Sequence, residues 1–401
     1  MSTKCERLAG LPRTGPGLGR AWRAVLALVV AVSLGTHGTT ATAAPRAVVD
    51  GHAVRVEVLT RALSYPWALT FLPDGAALIT ERDGRLRLWA DGRLDPRPID
   101  GVPAVWASGQ GGLLDVLVHP DVDRTGWIYL SLSHPDGGGR AHTRVVRAVF
   151  DRAGHTLRDV EVIVDALPTG RGGRHFGARL AFGGDGMLYI TTGERGDGDR
   201  AQDPMDLAGK LLRLHPDGAI PDDNPFVGRA GVRPEIYALG TRNGQGMDVH
   251  PDTGAVWFHE HGPRGGDEVN LARAGVNYGW PVVTHGRAYS GLPIGEGREK
   301  PGMTPPVWTW VPSIAPSGLA IYDGDLFPNW RGDLFVGALK ARLIARLEMD
   351  GDRVVTEERF LEGDLGRLRA LEVGPDGALY LLTDESEGML ARLVPEAPGL
   401  K

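Results

Sequence analysis

Residues 180 to 194 read LAFGGDGMLYITTGE: a short apolar run, a Gly-Asp-Gly turn, and a second apolar run that ends in threonines and a glutamate. The pattern predicts a strand, a tight turn and a second strand. The same unit recurs as LTFLPDGAALITER (69 to 82), LDVLVHPDVDRTGWIYLSLS (114 to 133), MDVHPDTGAVWFHEHG (247 to 262), LAIYDGDLFPNWRGDLFVGALK (319 to 340) and LEVGPDGALYLLTDE (371 to 385). Runs rich in Arg and Leu, such as GRLRLW at 84 to 89 and KLLRLHPDG at 210 to 218, follow several copies and supply a third strand. Six such units, about 45 to 70 residues apart, predict an all-β, six-bladed β-propeller of four-stranded antiparallel blades rather than a sandwich or a solenoid. The Pro-Asp-Gly segments are hairpin turns. Function is therefore expected from the loops and strand ends around the central channel.

Ahead of the first unit, Lys4, Arg7, Arg13, Arg20 and Arg23 precede the apolar run Ala24 to Leu34, and Ala41-Thr42-Ala43 stands before Ala44-Pro45. That layout reads as a secretory signal peptide over residues 1 to 43, its apolar run too short for a permanent membrane span. An exported chain, periplasmic or extracellular, is expected, with a single propeller domain over 44 to 401. Cys5, the only cysteine, falls in the leader, so the mature chain has neither a disulfide nor a thiol nucleophile. Cleavage removes five positive charges and one negative and takes the formal net charge from −6 to about −10. An acidic surface argues against nucleic acid and anionic membranes as partners. Beyond Lys4, lysine occurs only at 210, 300, 340 and 401. In a chain that nearly always uses arginine, each internal lysine is a candidate for a specific role.

Five segments, with Lys340 beside them, could carry chemistry. GQGGLLD sets Gln110 in a glycine turn, and GRGGRHFGARL sets His175 in a glycine-flanked loop before a strand. A histidine at a channel mouth can act as a general base near neutral pH; the competing reading is an incidental structural histidine. YALGTRNGQGM places Arg242 and Asn243 before the fourth unit, Lys340 ends the fifth, and GRLRALEV puts Arg367 and Arg369 on one strand face. Converging cations would clamp a ligand bearing several carboxylates or phosphates; otherwise they are solvated surface charges. EHGPRGGDEVNLARAGVNYGWP (260 to 281) packs Asp267 and Glu268 among glycines, either as an oxygen-ligand loop suited to calcium or as an acidic turn ahead of a strand. Phosphate-loop, Rossmann, zinc and serine-hydrolase signatures do not occur.

The ordered series PWALTFLPDG, GQGGLLDVLVHPD, HFGARLAFGGDGMLYITTGERGD, GTRNGQGMDVHPDTG, EHGPRGGDEVNLARAGVNYGWP, PSIAPSGLAIY and GDLFVGALK resembles the soluble glucose/sorbosone dehydrogenase family dependent on pyrroloquinoline quinone, in its aldose sugar dehydrogenase branch. The resemblance spans the mature chain. It implies a six-bladed propeller with the quinone over the channel and an aldose as substrate, its electrons passed to an acceptor the sequence does not name. It implies His175 as the base taking the anomeric proton while hydride passes to the quinone, giving a lactone. Gln110 would touch quinone or sugar, Arg242 and Asn243 would sit beside the quinone oxygens, and His261 would lie next to the cofactor. Lys340, Arg367 and Arg369 would bind its carboxylates. Carbonyls of Gly262 and Pro263 would hold a calcium that also ligates the quinone. Asp267 and Glu268, with the Tyr278 carbonyl, would hold a second, structural calcium.

Two positions depart from the glucose-specific pattern. Arg174 stands where those relatives carry a carboxylate, and the aromatic positions of VWTWVPSIAPSG differ, leaving Trp308 and Trp310 either for sugar stacking or for blade packing. Broad aldose tolerance is the expectation. Two rivals share the architecture: a calcium-dependent propeller lactonase that needs no quinone, and a binding propeller without catalysis.

Overall fold

The computed structural model describes residues 44–396, so the expected signal peptide and Cys5 lie outside the described residues. Six antiparallel sheets follow one another along the chain. Their first strands, Pro66–Phe71, Leu113–Val118, Gly177–Phe182, Gly244–Val249, Pro316–Ile321 and Leu368–Val373, neighbour one another in order, and the last returns to the first. This is the closed ring of a six-bladed propeller, its channel walled by the first strand of each blade. The ring is latched by the N-terminal segment: His52–Leu63 pairs antiparallel with Gly388–Pro395 as the fourth strand of blade six, and Arg46–Val49 pairs outside it. Closure in this manner ties residues more than 300 positions apart and removes exposed sheet edges between first and last blades.

The turns behave as their residues require. In blades one, three and six the turn aspartates 74, 185 and 376 accept the backbone N–H two residues on. The glycines between, Gly75, Gly186 and Gly377, take φ of 83°, 74° and 74°, a region that disfavours side chains with a Cβ. Second strands such as Leu188–Thr192 and Leu379–Thr383 are buried along their whole length, sandwiched between blades. The interblade cores are aromatic in places: between blades five and six, Phe327 stacks on Trp330 at 3.9 Å, with Tyr322 and Phe335 against them. Each such ring contributes about 1.5–3 kcal/mol by leaving water.

Trp308–Trp310 forms the outer strand of blade four. Trp310 is buried in the core between blades four and five and donates from Nε1 to Glu357 at 2.9 Å, and Trp308 packs against the same core. The sugar-stacking option for these two residues is thereby overturned. An outer strand cannot reach the channel.

The internal lysines separate cleanly. Lys210 is buried, donating to the carbonyls of Arg200 (2.8 Å) and Ala208 (2.7 Å), and Lys300 pairs with Glu296 on the surface. Lys340 is exposed at a strand end, with no side-chain partner among the described residues.

Candidate active site

His175 ends the glycine-rich loop leading into the inner strand of blade three. Its backbone sits at φ 53°, a strained conformation for a residue with a Cβ, and Gly177 two residues on takes φ 64°. A Cβ at Gly177 would come within 2.6 Å of the Thr192 backbone, so the turn needs glycine there. Three contacts hold the strained turn in place. The Gln110 side-chain carbonyl accepts the His175 N–H at 2.6 Å, Asn243 Oδ1 accepts the Gly177 N–H at 3.0 Å, and Glu194 Oε2 lies 2.7 Å from His175 Nδ1. With its Nδ1 proton directed at Glu194, the imidazole keeps a lone pair on Nε2, the arrangement of a general base. Burial holds the His175 pKa below its ordinary value; the Glu194 carboxylate opposes this, while Arg242 and Arg174 reinforce it. Only 9% exposed, the ring is therefore neutral at pH 7 and ready to accept a proton.

Glu194 yields a direct prediction. Glu194→Gln removes the charge that raises the His175 pKa and offers an amide that can donate to Nδ1, which moves the ring proton to Nε2. We expect kcat to fall by about 10²- to 10⁴-fold, with the residual acid limb of kcat/KM moved to lower pH. A pH–rate profile matching the unsubstituted protein in both height and midpoint would remove Glu194 from this role.

Beside this turn lies a cavity of about 260 Å³ lined by Gln110, His261, Arg367 and Arg369, together with Trp67 and Arg82. Arg367 and Arg369 both reach Asp384 Oδ2, at 2.9 and 3.3 Å, and Arg82 approaches Oδ1 at 3.9 Å. Burial works to raise the Asp384 pKa, but the three guanidinium groups outweigh it and hold the pKa below the usual carboxylate range. Three cations share one anion, leaving net positive charge at the cavity wall. Lys340 follows Leu339, itself a lining residue. On the opposite side Arg242 donates to the carbonyls of His261 (2.8 Å) and Gly262 (3.3 Å), while His261 Nε2 contacts the Pro316 carbonyl at 2.5 Å. The Nε atoms of Arg242 and Arg369 are buried without a partner.

The loop after Glu260 folds tightly enough that a Cβ at Gly262 would meet the Gly265 carbonyl oxygen at 2.1 Å. Asp267 has a different job from the one expected of it. Its oxygens accept from Gly262 N–H, Ser313 Oγ–H, Ile314 N–H and Ala315 N–H at 2.8 to 3.0 Å, so it staples the loop to the start of blade five and leaves the proposed metal set. Glu268 is different. It faces Glu260 across paired strands, and both carboxyls are pushed upward by burial, Glu268 further by its neighbour Glu260. Two buried like charges call for a proton or a cation. Both side-chain polar atoms of nearby Asn270 are buried and unpartnered. The Tyr278 hydroxyl donates to the Leu271 carbonyl, so the backbone carbonyl is what Tyr278 could offer a metal. A second cavity, about 440 Å³, lies beside Glu268 and Tyr278, away from the channel mouth.

The family model for "Glucose / Sorbosone dehydrogenase" matches residues 63–392. The chain belongs to the glucose/sorbosone dehydrogenase family. It is 46% identical to the aldose sugar dehydrogenase YliI of Escherichia coli (strain K12) over 85% of this chain and 93% of that protein. Its fold is similar to the apo-form crystal structure of the soluble aldose sugar dehydrogenase from Escherichia coli, with a TM-score of 0.83 over 86% of this chain and all of the other. It is also similar to the PQQ-bound form of the aldose sugar dehydrogenase from Streptomyces coelicolor, with 29% identity and a TM-score of 0.70 over 88% of this chain and all of the other.

Within this glucose/sorbosone dehydrogenase frame, sequence reasoning missed Glu194, Arg82, Asp384 and Glu260. A signal for three of them was present. The second strand of four blades runs into an acid: Glu81, Glu194, Glu260 and Asp384. Glu81 binds Arg85 and Arg87, Glu194 binds His175, Glu260 accepts the backbone N–H groups of Arg242 and Asn243, and Asp384 gathers Arg367 and Arg369. In three of the four blades that acid orients a candidate functional group, whereas Glu81 ties down Arg85 and Arg87 of its own blade.

Proposed function

We propose that this chain is an exported, pyrroloquinoline-quinone-dependent aldose sugar dehydrogenase that oxidises aldoses at the anomeric carbon to lactones, with His175 as the base. The carrying observation is His175, buried, held by Glu194 through Nδ1 and set at the edge of a cation-walled cavity. Family membership and the PQQ-bound relative support the cofactor. The leader-like N-terminus supports export.

The residues fit a flat ligand with several carboxylates. Three guanidinium groups share Asp384, Lys340 follows the lining residue Leu339 and has no side-chain partner among the described residues, and the unpartnered Nε atoms of Arg242 and Arg369 have donor capacity to spare. One lone pair of the Gly262 carbonyl faces Arg242; the other remains for a calcium, with Pro263 beside it. When bound, the quinone would supply the two-electron acceptor and the calcium a Lewis acid at its carbonyl. His175 Nε2 removes the anomeric hydroxyl proton, and Glu194 stabilises the imidazolium that forms. Gln110 and Asn243 keep the His175 turn from relaxing. Arg242 presents positive charge where negative charge develops.

Sugar oxidation with an artificial electron acceptor, measured on the mature chain before and after adding the quinone with calcium, tests the proposal. We expect activity only with both, across several mono- and disaccharides. Silence across an aldose panel with no quinone bound would refute it, and activity confined to glucose would refute the breadth.

Glu268, with Glu260 and the Tyr278 carbonyl, is proposed to hold the structural calcium. In quinone-free protein, calcium at about 100 times its Kd should raise Tm by about 5 °C. Glu268→Gln should abolish that rise. An equal rise in the variant would place the ion elsewhere.

A further inference from the structure

Arg179 lies on the inner strand of blade three, only 7% exposed, and its side chain meets the inner strand of every other blade. Its Cζ lies 4.1 Å over the Trp67 ring of blade one. Nη1 is 3.3 Å from Asp115 Oδ1 of blade two, and Nε donates to the Gln245 carbonyl of blade four at 2.7 Å. Nη2 donates to the carbonyls of Ser317 in blade five (3.1 Å) and Arg369 in blade six (3.3 Å). One planar fork of donors bridges a channel that six separate strands enclose. A lysine ammonium could not reproduce this, because its three donors radiate from a single point.

Three of the five residues gripped by Arg179 also line the candidate cofactor cavity. Trp67, Gln245 and Arg369 line it, and Gln245 Oε1 accepts from Arg369 Nη1 at 3.1 Å. Arg179 itself lines a different cavity, about 250 Å³, deeper in the channel, together with Asp115, Asp248 and Glu372. The guanidinium thus closes the channel beneath the site. Burying a cation against three carbonyls and one carboxylate is costly, and this one contacts three cavity-lining residues from outside the cavity, whereas Asp384, which also gathers three, is part of the wall.

We propose that Arg179 is a positioning residue for cofactor binding: it sets Trp67, Gln245 and Arg369 from below without touching the ligand. The inference rests on the upper cavity being the quinone site. Quinone affinity in the presence of calcium is the readout, followed by quenching of tryptophan fluorescence in the full chain, with thermal melts alongside. Arg179→Met combined with Asp115→Asn, which avoids an unpaired buried acid, should raise the quinone Kd by about 30-fold. Arg179→Lys should recover more of the melting temperature than of the affinity. Asp115→Asn alone should raise Kd about threefold, although Asp115 does not line the upper cavity. A purely structural role predicts lower melting temperatures with unchanged affinity, and that result would overturn the proposal. Should the Arg179 variants fail to fold, Asp115→Asn decides by itself: a Kd within about 1.5-fold of the unsubstituted protein overturns it. If the unsubstituted protein takes up no quinone, the cofactor reading fails instead, and the two failures are distinct.

Discussion

Replacing His175 by Gln should lower kcat by about 10²- to 10⁴-fold while quinone affinity stays within about twofold. Glutamine can fill the space and meet Glu194, but it has no basic nitrogen to accept the anomeric proton. The cation wall around Asp384 is made by Arg82, Arg367 and Arg369, not by His175, so cofactor uptake should survive. Two measurements check this: single-turnover sugar oxidation and quinone titration of the same preparation. In the unsubstituted protein the acid limb of kcat/KM should fall below pH 6.5, because burial lowers the His175 pKa and activity is lost only once the ring protonates. Retained turnover in the variant, or an acid limb above pH 6.5, would remove His175 from the base role.

Lys340→Ala should weaken quinone binding by about 10- to 100-fold, the loss of one charge-assisted contact of about 1.5–3 kcal/mol. Arg367 and Arg369 are each partly committed to Asp384, whereas Lys340 is exposed, follows the lining residue Leu339 and has no side-chain partner among the described residues. Its whole charge is available to an incoming carboxylate. With quinone at saturation, kcat should change little, since the ammonium is expected to act on uptake rather than on proton transfer. Removing an unpaired exposed lysine should also leave the melting temperature nearly unchanged. The separation of a large affinity loss from small changes in kcat and Tm is the signature to look for. Unchanged affinity would mean that the cationic cluster ends at Arg367.

His175 and Lys340 each adjoin residues that line one cavity, Phe176 and Leu339, and the fold explains why such different residues converge there. A propeller brings the starts of six inner strands and the ends of the adjacent second strands to one channel mouth. His175 precedes its strand, Arg242 and Asn243 precede theirs, Arg367 precedes a third, and Lys340 follows a second strand. Chain positions from 67 to 384 thereby meet around about 260 Å³.

Strand periodicity and turn chemistry act over a few residues, so the sequence alone determined the repeat, the Asp-Gly turns and the six blades. It also picked out most of the chemistry-bearing residues, because glycine-flanked His175 and the rare Lys340 are local anomalies. Partnership was decided only by the tertiary structure. Asp267 and Glu268 are adjacent in sequence, yet strand alternation points them to opposite faces. One is consumed by the Gly262 N–H of its own loop and three donors from the start of blade five, and the other is buried against Glu260. Trp310 looked available for a sugar until its strand proved to be the outer one. Arg179 reads in sequence as one arginine among many, and it meets Arg369, 190 residues away, only because the ring closes. Which charged groups end up opposite one another depends on that closure, a long-range property that no local pattern encodes.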